Sequence, residues 1–208
     1  MMRPQLHVLT DPGLSRGRSH LEIVRAALAG GADVVQLRDK TLAEEVLTAE
    51  ALKLLAAVRQ AERLLVVNDS LRVARRVEAD GLHLGPDDIP LAAARALWPR
   101  PKLLGGSART VERARQLVEE GADYLGVGPV YGTTSKRDAP GAIGLDRLAR
   151  IAAAVGVPVI GIGGITADSA AAVILAGAAG VAVISAVVAA EDVRAATRAI
   201  RAAIDAGS

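Results

Sequence analysis

Short apolar runs recur along the chain, each closed by Gly, Asp, Asn, Pro or a hydroxyl residue: "LHVLT" at 6–10, "DVVQLR" at 33–38, "LLVVND" at 64–69 and "GLHLG" at 81–85. The series continues with "KLLGGS" at 102–107, "YLGVGP" at 124–129, "VPVIGIGG" at 157–164 and "GVAVIS" at 180–185. Runs that are apolar almost throughout, rather than at every second residue, belong to strands covered on both faces, the habit of parallel sheets. Between them lie stretches rich in Ala, Leu and Arg with helical spacing, such as 41–60, 110–120 and 145–154. Several open on Ser, Thr or Asp, residues that cap a helix N-terminus. A phrase also repeats at the strand starts: "AGGADVVQL" at 29–37, "EADGLHL" at 78–84, "EEGADYLGV" at 119–127 and "LAGAAGVAV" at 175–183. In each, a small residue ends a helix and a buried strand follows. Eight such units in 208 residues predict α/β architecture as a single (β/α)8 TIM barrel, one domain over 1–208. A doubly wound open sheet is the competing arrangement, but it ordinarily needs only five or six strands.

Composition narrows the class of partner. The 51% hydrophobic and 23% charged content is globular, and a formal net charge of +2 gives no reason to expect a nucleic acid. Without cysteine, disulfides and thiolate chemistry are excluded. The N-terminal "MMRPQLHVLTD" lacks a secretory apolar segment, so a cytoplasmic location is expected. One stretch, "SAAAVILAGAAGVAVISAVVAA" at 169–190, is uncharged and long enough to span a bilayer. Gly177 and Gly180 divide it into a helix-like and a strand-like half, so it reads as a buried helix–strand junction and no membrane is expected.

The chemistry of such barrels gathers at the C-terminal ends of the strands. There the sequence places Gln36, Arg38 and Lys40; then Asn68 and Asp69; Asp87 and Asp88; and Ser107. The sixth strand is followed by Thr133, Thr134, Ser135 and Lys136, the seventh by Gly161, Gly163 and Gly164, and the eighth by Ser185. Gln36, Arg38 and Lys40 fall at spacing two, on one face of a strand. An amide and two cations facing one way suit an anion rich in oxygens, a phosphate or diphosphate. Carboxylates beside an anion make sense with a hard cation between them, and Asp69 with Asp88 are the candidates for holding Mg²⁺. "GIGGI" and "VIS" after the last two strands offer unobstructed backbone N–H groups and a hydroxyl for a second phosphate.

Each feature also has a plainer reading. The cationic strand end could pair with Asp39; Asp69 could cap the next helix, and Asp87 or Asp88 the one after. The glycines could serve packing, Lys136 could be a loop cation, and His83 a satisfied interior histidine rather than a base. His7 and His20 carry no sequence signal.

The set "QLRDK", "VND", "HLGPDD", "GADYLGVGPVYGTTSK", "GIGGIT" and "VIS" resembles, in order and spacing, the thiamine-phosphate synthase family over nearly the whole chain. The resemblance implies that Gln36, Arg38, Lys40, Asn68, Ser107 and Lys136 bind hydroxymethylpyrimidine diphosphate. It further implies that Asp69 and Asp88 hold Mg²⁺, and that Thr133, Ser135, Gly164, Ile184 and Ser185 bind thiazole phosphate. In the implied mechanism diphosphate leaves the pyrimidine methylene and the thiazole nitrogen captures the resulting cation. Arg38, Lys40 and Lys136 would stabilise the departing diphosphate, and the segment 131–142 would serve as a lid. A possible homodimer is implied as well. Pro86 and Gly132 stand where the family often carries Gln and Pro, and "RDAPGAIGLD" is similar to the related thiazole tautomerases. Pro129, however, occupies the place of their catalytic His, which leaves the tautomerase as the alternative. A non-catalytic phosphate-ligand sensor is the rival from another class.

Overall fold

The computed structural model describes residues 5–99, 101, 103–133 and 141–208. Eight parallel strands close a barrel in chain order: β1 (Gln5–Leu9), β2 (Val34–Leu37), β3 (Leu64–Asn68), β4 (Gly81–Leu84), β5 (Leu103–Ala108), β6 (Tyr124–Val127), β7 (Val159–Ile162) and β8 (Gly180–Val183). The register Gln5↔Gly180 to Val8↔Val183 joins β8 back to β1, so the open-sheet alternative is excluded. Helices α1 (His20–Ala29), α2 (Glu44–Gln60), α3 (Leu71–Arg76), α4 (Leu91–Leu97), α5 (Val111–Glu119), α6 (Gly144–Ala154) and α7 (Ala167–Leu175) return the chain after the first seven strands. The short α8 (Ser185–Val188) and α9 (Val193–Ala206) follow the last.

The nearly continuous apolar runs sort into two environments. Leu6, Val8, Val35, Leu37, Leu65, Val67, Leu82 and Leu125 face the helices and build the main core. Leu9, Tyr124, Ile160 and Ala182 point the other way and form a separate cluster inside the barrel. Both faces of every strand are therefore buried, which is why alternation is invisible in the sequence.

The repeated phrase has a structural meaning at the N-terminal end. Asp33 Oδ2 accepts from Leu6 N at 2.9 Å, Asp80 Oδ2 from Leu65 N at 2.9 Å, and Asp123 Oδ2 from Leu104 N at 2.7 Å. The carboxylate preceding each even strand thus holds a backbone donor of the strand before it. In the fourth copy this position is Ala179. Arg201 of α9 closes the first of these junctions, its guanidinium 2.8 Å from Asp33 Oδ2 and 2.6 Å from Asp205 Oδ1.

The uncharged stretch 169–190 divides as its glycines predict, with α7 ending at Leu175, Gly177 at φ +97° and β8 beginning at Gly180. Among the described residues no helix is long and apolar enough to cross a membrane. The helix expected over 41–60 begins at Glu44 instead. Asp39 Oδ1 accepts from the backbone of Thr41 and Leu42, and that turn keeps 39–42 out of the helix.

Candidate active site

The chain leaves β2 with Gln36 and Arg38 almost fully buried, 3% and 8% exposed, and Lys40 in solvent. Among the described residues Gln36 Oε1 is buried with no hydrogen-bond partner, an acceptor inside the barrel without a donor. Such an atom costs free energy in an empty interior and is satisfied by a ligand that brings an N–H or O–H. Arg38 is held from β1: Thr10 Oγ1 donates to the Arg38 carbonyl and accepts from its N–H, and the guanidinium pairs with Asp11 Oδ2. The pairing of Arg38 with Asp39 considered from the sequence does not occur. Asp39 is turned away toward His20, whose Nε2 lies 3.0 Å from Asp39 Oδ2.

Asp69 sits at φ +64°, a left-handed conformation that Asp tolerates better than most residues. Ser70 N donates to the Asn68 carbonyl at 2.7 Å and Asp69 N to the His83 carbonyl at 2.9 Å, so a tight turn ends β3. That turn brings the carboxylate to the adjacent strand end, 3.3 Å from Lys40 Nζ and beside the Asp88 carboxyl. Asp88 accepts from Gly85 N at 2.7 Å. Burial, and next the Asp69 carboxyl hydrogen-bonded against it, raise its pKa above the usual carboxylate value. The capping roles considered for these aspartates belong to other residues. Ser70 Oγ caps α3 by accepting from Val73 N, and Pro90 occupies the N-cap of α4 with no side-chain bond.

Arg38, Lys40, Asn68, Asp69, Asp88 and Ser107 line one cleft, whose floor is His83 and whose rim is Gly85, Pro86 and Asp87. His83 is the satisfied interior histidine of the plainer reading, yet it also reaches the cleft. Its Nε2 lies 3.0 Å from Ser107 Oγ and its Nδ1 2.9 Å from the Tyr124 hydroxyl.

Across the barrel mouth, Tyr131 N donates to the Gly163 carbonyl at 3.0 Å, and Val130 N to the Ile162 carbonyl at 2.8 Å. This brings the chain leading to Thr133 alongside the β7 end. Gly164, at φ +66°, packs so tightly on Tyr131 and the Gly132 carbonyl that a side chain there would collide with both. Ile184 and Ser185 stand just beyond the rung Ile162↔Ala182, on the neighbouring strand end. Gly164, Ile184 and Ser185 are therefore together at the mouth. Ser135, Lys136 and most of the expected lid lie outside the described residues.

The two carboxylates suit Mg²⁺, a hard cation commonly bound by one or two carboxylates with water and substrate phosphates completing its shell. Burial first and the Asp69 carboxyl second raise the Asp88 pKa, and a cation between the two carboxylates would relieve the second cause. Among the described residues no group of three or more His, Cys, Asp or Glu that could hold a metal ion is found, here or elsewhere, so the candidate metal site in this cleft is a pair of carboxylates only. A larger cleft of about 610 Å³ opens at the opposite, N-terminal end between Arg59, Glu62, Arg63, Glu78, Asp80 and Trp98. Its charges are mixed, and none of the polar groups just described faces it.

Asp11, Thr10, His20 and Tyr124 are site-shaping residues that sequence reasoning passed over. "LHVLTD" did carry a signal for the first two, a strand ending in Thr-Asp like the other polar strand ends.

A closed (β/α)8 barrel with cations, a buried amide and paired carboxylates at its C-terminal mouth defines a barrel enzyme for small phosphorylated substrates. Residues 6–187 match the sequence model of a family described as "Thiamine monophosphate synthase", and the chain belongs to that family. It is 52% identical over 200 residues to the thiamine-phosphate synthase of Chloroflexus aurantiacus, covering 96% of this chain and 92% of that one. The thiamine-phosphate synthase of Moorella thermoacetica is 50% identical over 196 residues, covering 94% and 93%. Among solved structures, the thiamine phosphate pyrophosphorylase from Pyrococcus furiosus superposes with a TM-score of 0.90 at 38% identity, over 99% of this chain and 97% of that one.

Proposed function

We propose that this protein is a thiamine-phosphate synthase that joins hydroxymethylpyrimidine diphosphate to thiazole phosphate, giving thiamine monophosphate and diphosphate. The observation that carries the reading is one cleft in which Arg38 and Lys40 converge with the Asp69–Asp88 pair. Arg38 and Lys40 bind the diphosphate, Lys136 adds a third cation, and Asn68 and Ser107 contribute neutral hydrogen bonds. The unpartnered Gln36 Oε1 accepts from the amino group of the pyrimidine, which fixes the ring in the barrel mouth. Asp69 and Asp88 would hold Mg²⁺, which when bound neutralises charge on the diphosphate. Thr133, Ser135, Gly164, Ile184 and Ser185 hold the thiazole phosphate at the other side of the mouth.

These residues supply no nucleophile, and the reaction asks for none. The diphosphate takes the electron pair of the C–O bond as it leaves the pyrimidine methylene, and the thiazole nitrogen forms the new C–N bond. The protein's share is to align the two substrates and to place fixed positive charge where negative charge accumulates. Incubation of the purified protein with both substrates and Mg²⁺ should yield thiamine monophosphate and diphosphate in equal amounts. Conversion of a thiazole carboxylate isomer without metal, and no condensation, would establish the tautomerase instead. Binding of both phosphates with no product would establish a sensor.

A further inference from the structure

Among the polar side chains inside the barrel, Gln5, His7, Gln36, His83 and Tyr124 lie in or below its mouth. His83 forms the floor of the cleft, and Tyr124 is hydrogen-bonded to it from within the barrel. Tyr124 is 4% exposed, and among the described residues its hydroxyl has one hydrogen-bond partner, His83 Nδ1 at 2.9 Å. His83 Nε2 lies 3.0 Å from Ser107 Oγ, and Ser107 lines the cleft. The barrel has made room for this chain of contacts. A Cβ on Gly105 of β5 would fall inside the Tyr124 ring, and one on Gly126 of β6 would press to 3.0 Å from His83 Cε1. Two strand-interior glycines, which weaken a strand, are the means by which two rings fit.

With a neutral imidazole the protons in this chain of contacts have two arrangements. If Ser107 donates to Nε2, then Nδ1–H must donate to the tyrosine oxygen, and the phenol proton is buried with no acceptor. That orphan carries the full desolvation cost of a buried donor. If Tyr124 donates to Nδ1, then Nε2–H donates to Ser107 Oγ, and every buried proton has a partner. The serine proton is then free to point into the cleft. A diphosphate offers acceptors only, so the second arrangement presents what that ligand needs.

We infer that Tyr124 and His83 are positioning residues, a hydrogen-bond relay that turns the Ser107 hydroxyl proton toward the diphosphate substrate. The inference rests on the synthase reading of the cleft. Neither residue touches the substrate through the relay; both act through Ser107. Ring packing alone makes a different prediction, because it is indifferent to which way the serine proton points.

A double-mutant cycle separates the two. Tyr124→Phe keeps the ring and removes the hydroxyl; kcat/KM for the pyrimidine diphosphate should fall about tenfold in the wild-type background. In the Ser107→Ala background the same change should cost less than twofold. Equal losses in both backgrounds, or no loss in the wild type, would overturn the relay. Thermal melting in parallel separates misfolding of Tyr124→Phe from loss of the hydroxyl, and a second pair of variants stands beside it. His83→Gln retains an N–H that reaches Ser107 without help from Tyr124 and should preserve activity within about threefold, while His83→Leu should lose it. Equal activity of the Gln and Leu variants refutes the relay. Absence of thiamine monophosphate from the wild-type protein refutes the synthase reading itself, and the relay with it; activity with additive losses refutes the relay alone.

Discussion

Replacing Arg38 by alanine should damage this protein twice, and the structure says how to separate the two injuries. The Arg38 side chain is 10% exposed and its partner Asp11 15% exposed, so the pair is not a solvated surface bridge. Removing the guanidinium strands a carboxylate that keeps the Gly13 N–H as an acceptor's partner at 3.0 Å but loses its counter-charge. A charge-assisted hydrogen bond of this kind contributes about 1.5–3 kcal/mol, and the partial exposure of Asp11 favours a figure of about 2. For a chain of this size each kcal/mol moves the melting temperature by about 2–4 °C, so Tm should drop by roughly 4–8 °C. The catalytic injury is separate. One lost charge-assisted contact to diphosphate, again about 2 kcal/mol, raises KM about thirtyfold. Arg38→Ala and the double variant Arg38→Ala/Asp11→Asn should therefore be compared by thermal melting and steady-state kinetics. The double variant should regain most of the lost Tm and none of the lost KM. Recovery of KM together with Tm would show that Arg38 acts only through the fold, and an unchanged KM in the single variant would remove it from the diphosphate site.

Asp88→Asn removes one of two like charges in contact, so Tm should hold or rise, while the Mg²⁺ concentration for half-maximal activity rises at least about tenfold; a Mg²⁺ titration decides. Burial first, and the nearby His83 second, push the pKa of His7 down to about 3 from 6.5. His7 is therefore neutral in the folded protein while the unfolded chain takes up a proton below 6.5. Its stability contribution is complete above that pH and is lost as pH falls toward 3, by up to about 1.4 kcal/mol per unit. Urea midpoints between pH 4 and 7 should show this slope and His7→Gln should flatten it; an unchanged slope would contradict the assignment. Ala179→Asp should restore the missing fourth carboxylate opposite Val159 N and add about 1 kcal/mol of stability, read as a Tm gain of about 2–4 °C. No gain would mean that the repeated Asp serves another purpose.

The strands were legible because each buried run is closed by Gly, Asp, Asn, Pro or a hydroxyl residue, and the rule that chemistry gathers at strand C-termini then assembled Arg38, Lys40, Asp69, Asp88 and Ser107 from the sequence. What escaped were partners distant in the chain. Nothing near Arg38 in the sequence announces Asp11, 27 residues earlier, and the adjacent Asp39 looks the better mate. Backbone geometry escaped too. Asp69 resembles a helix cap until its φ of +64° is seen, which hands the cap to Ser70 and the carboxylate to the cleft. Tyr124 was hidden for a third reason, since both faces of a barrel strand are apolar and periodicity does not mark which one looks inward. The glycines at 105 and 126 likewise read as ordinary strand residues until the rings they accommodate are in place.

Diphosphate is proposed to bind through cations on the strand ends and through a metal that Asp69 and Asp88 would hold. Calorimetric titration of inorganic diphosphate into the wild-type protein, with Mg²⁺ and then with chelator, tests this most directly. Tight binding that requires Mg²⁺ and disappears in Asp69→Asn/Asp88→Asn is the predicted result. Binding of equal strength with chelator and in the double variant would contradict it.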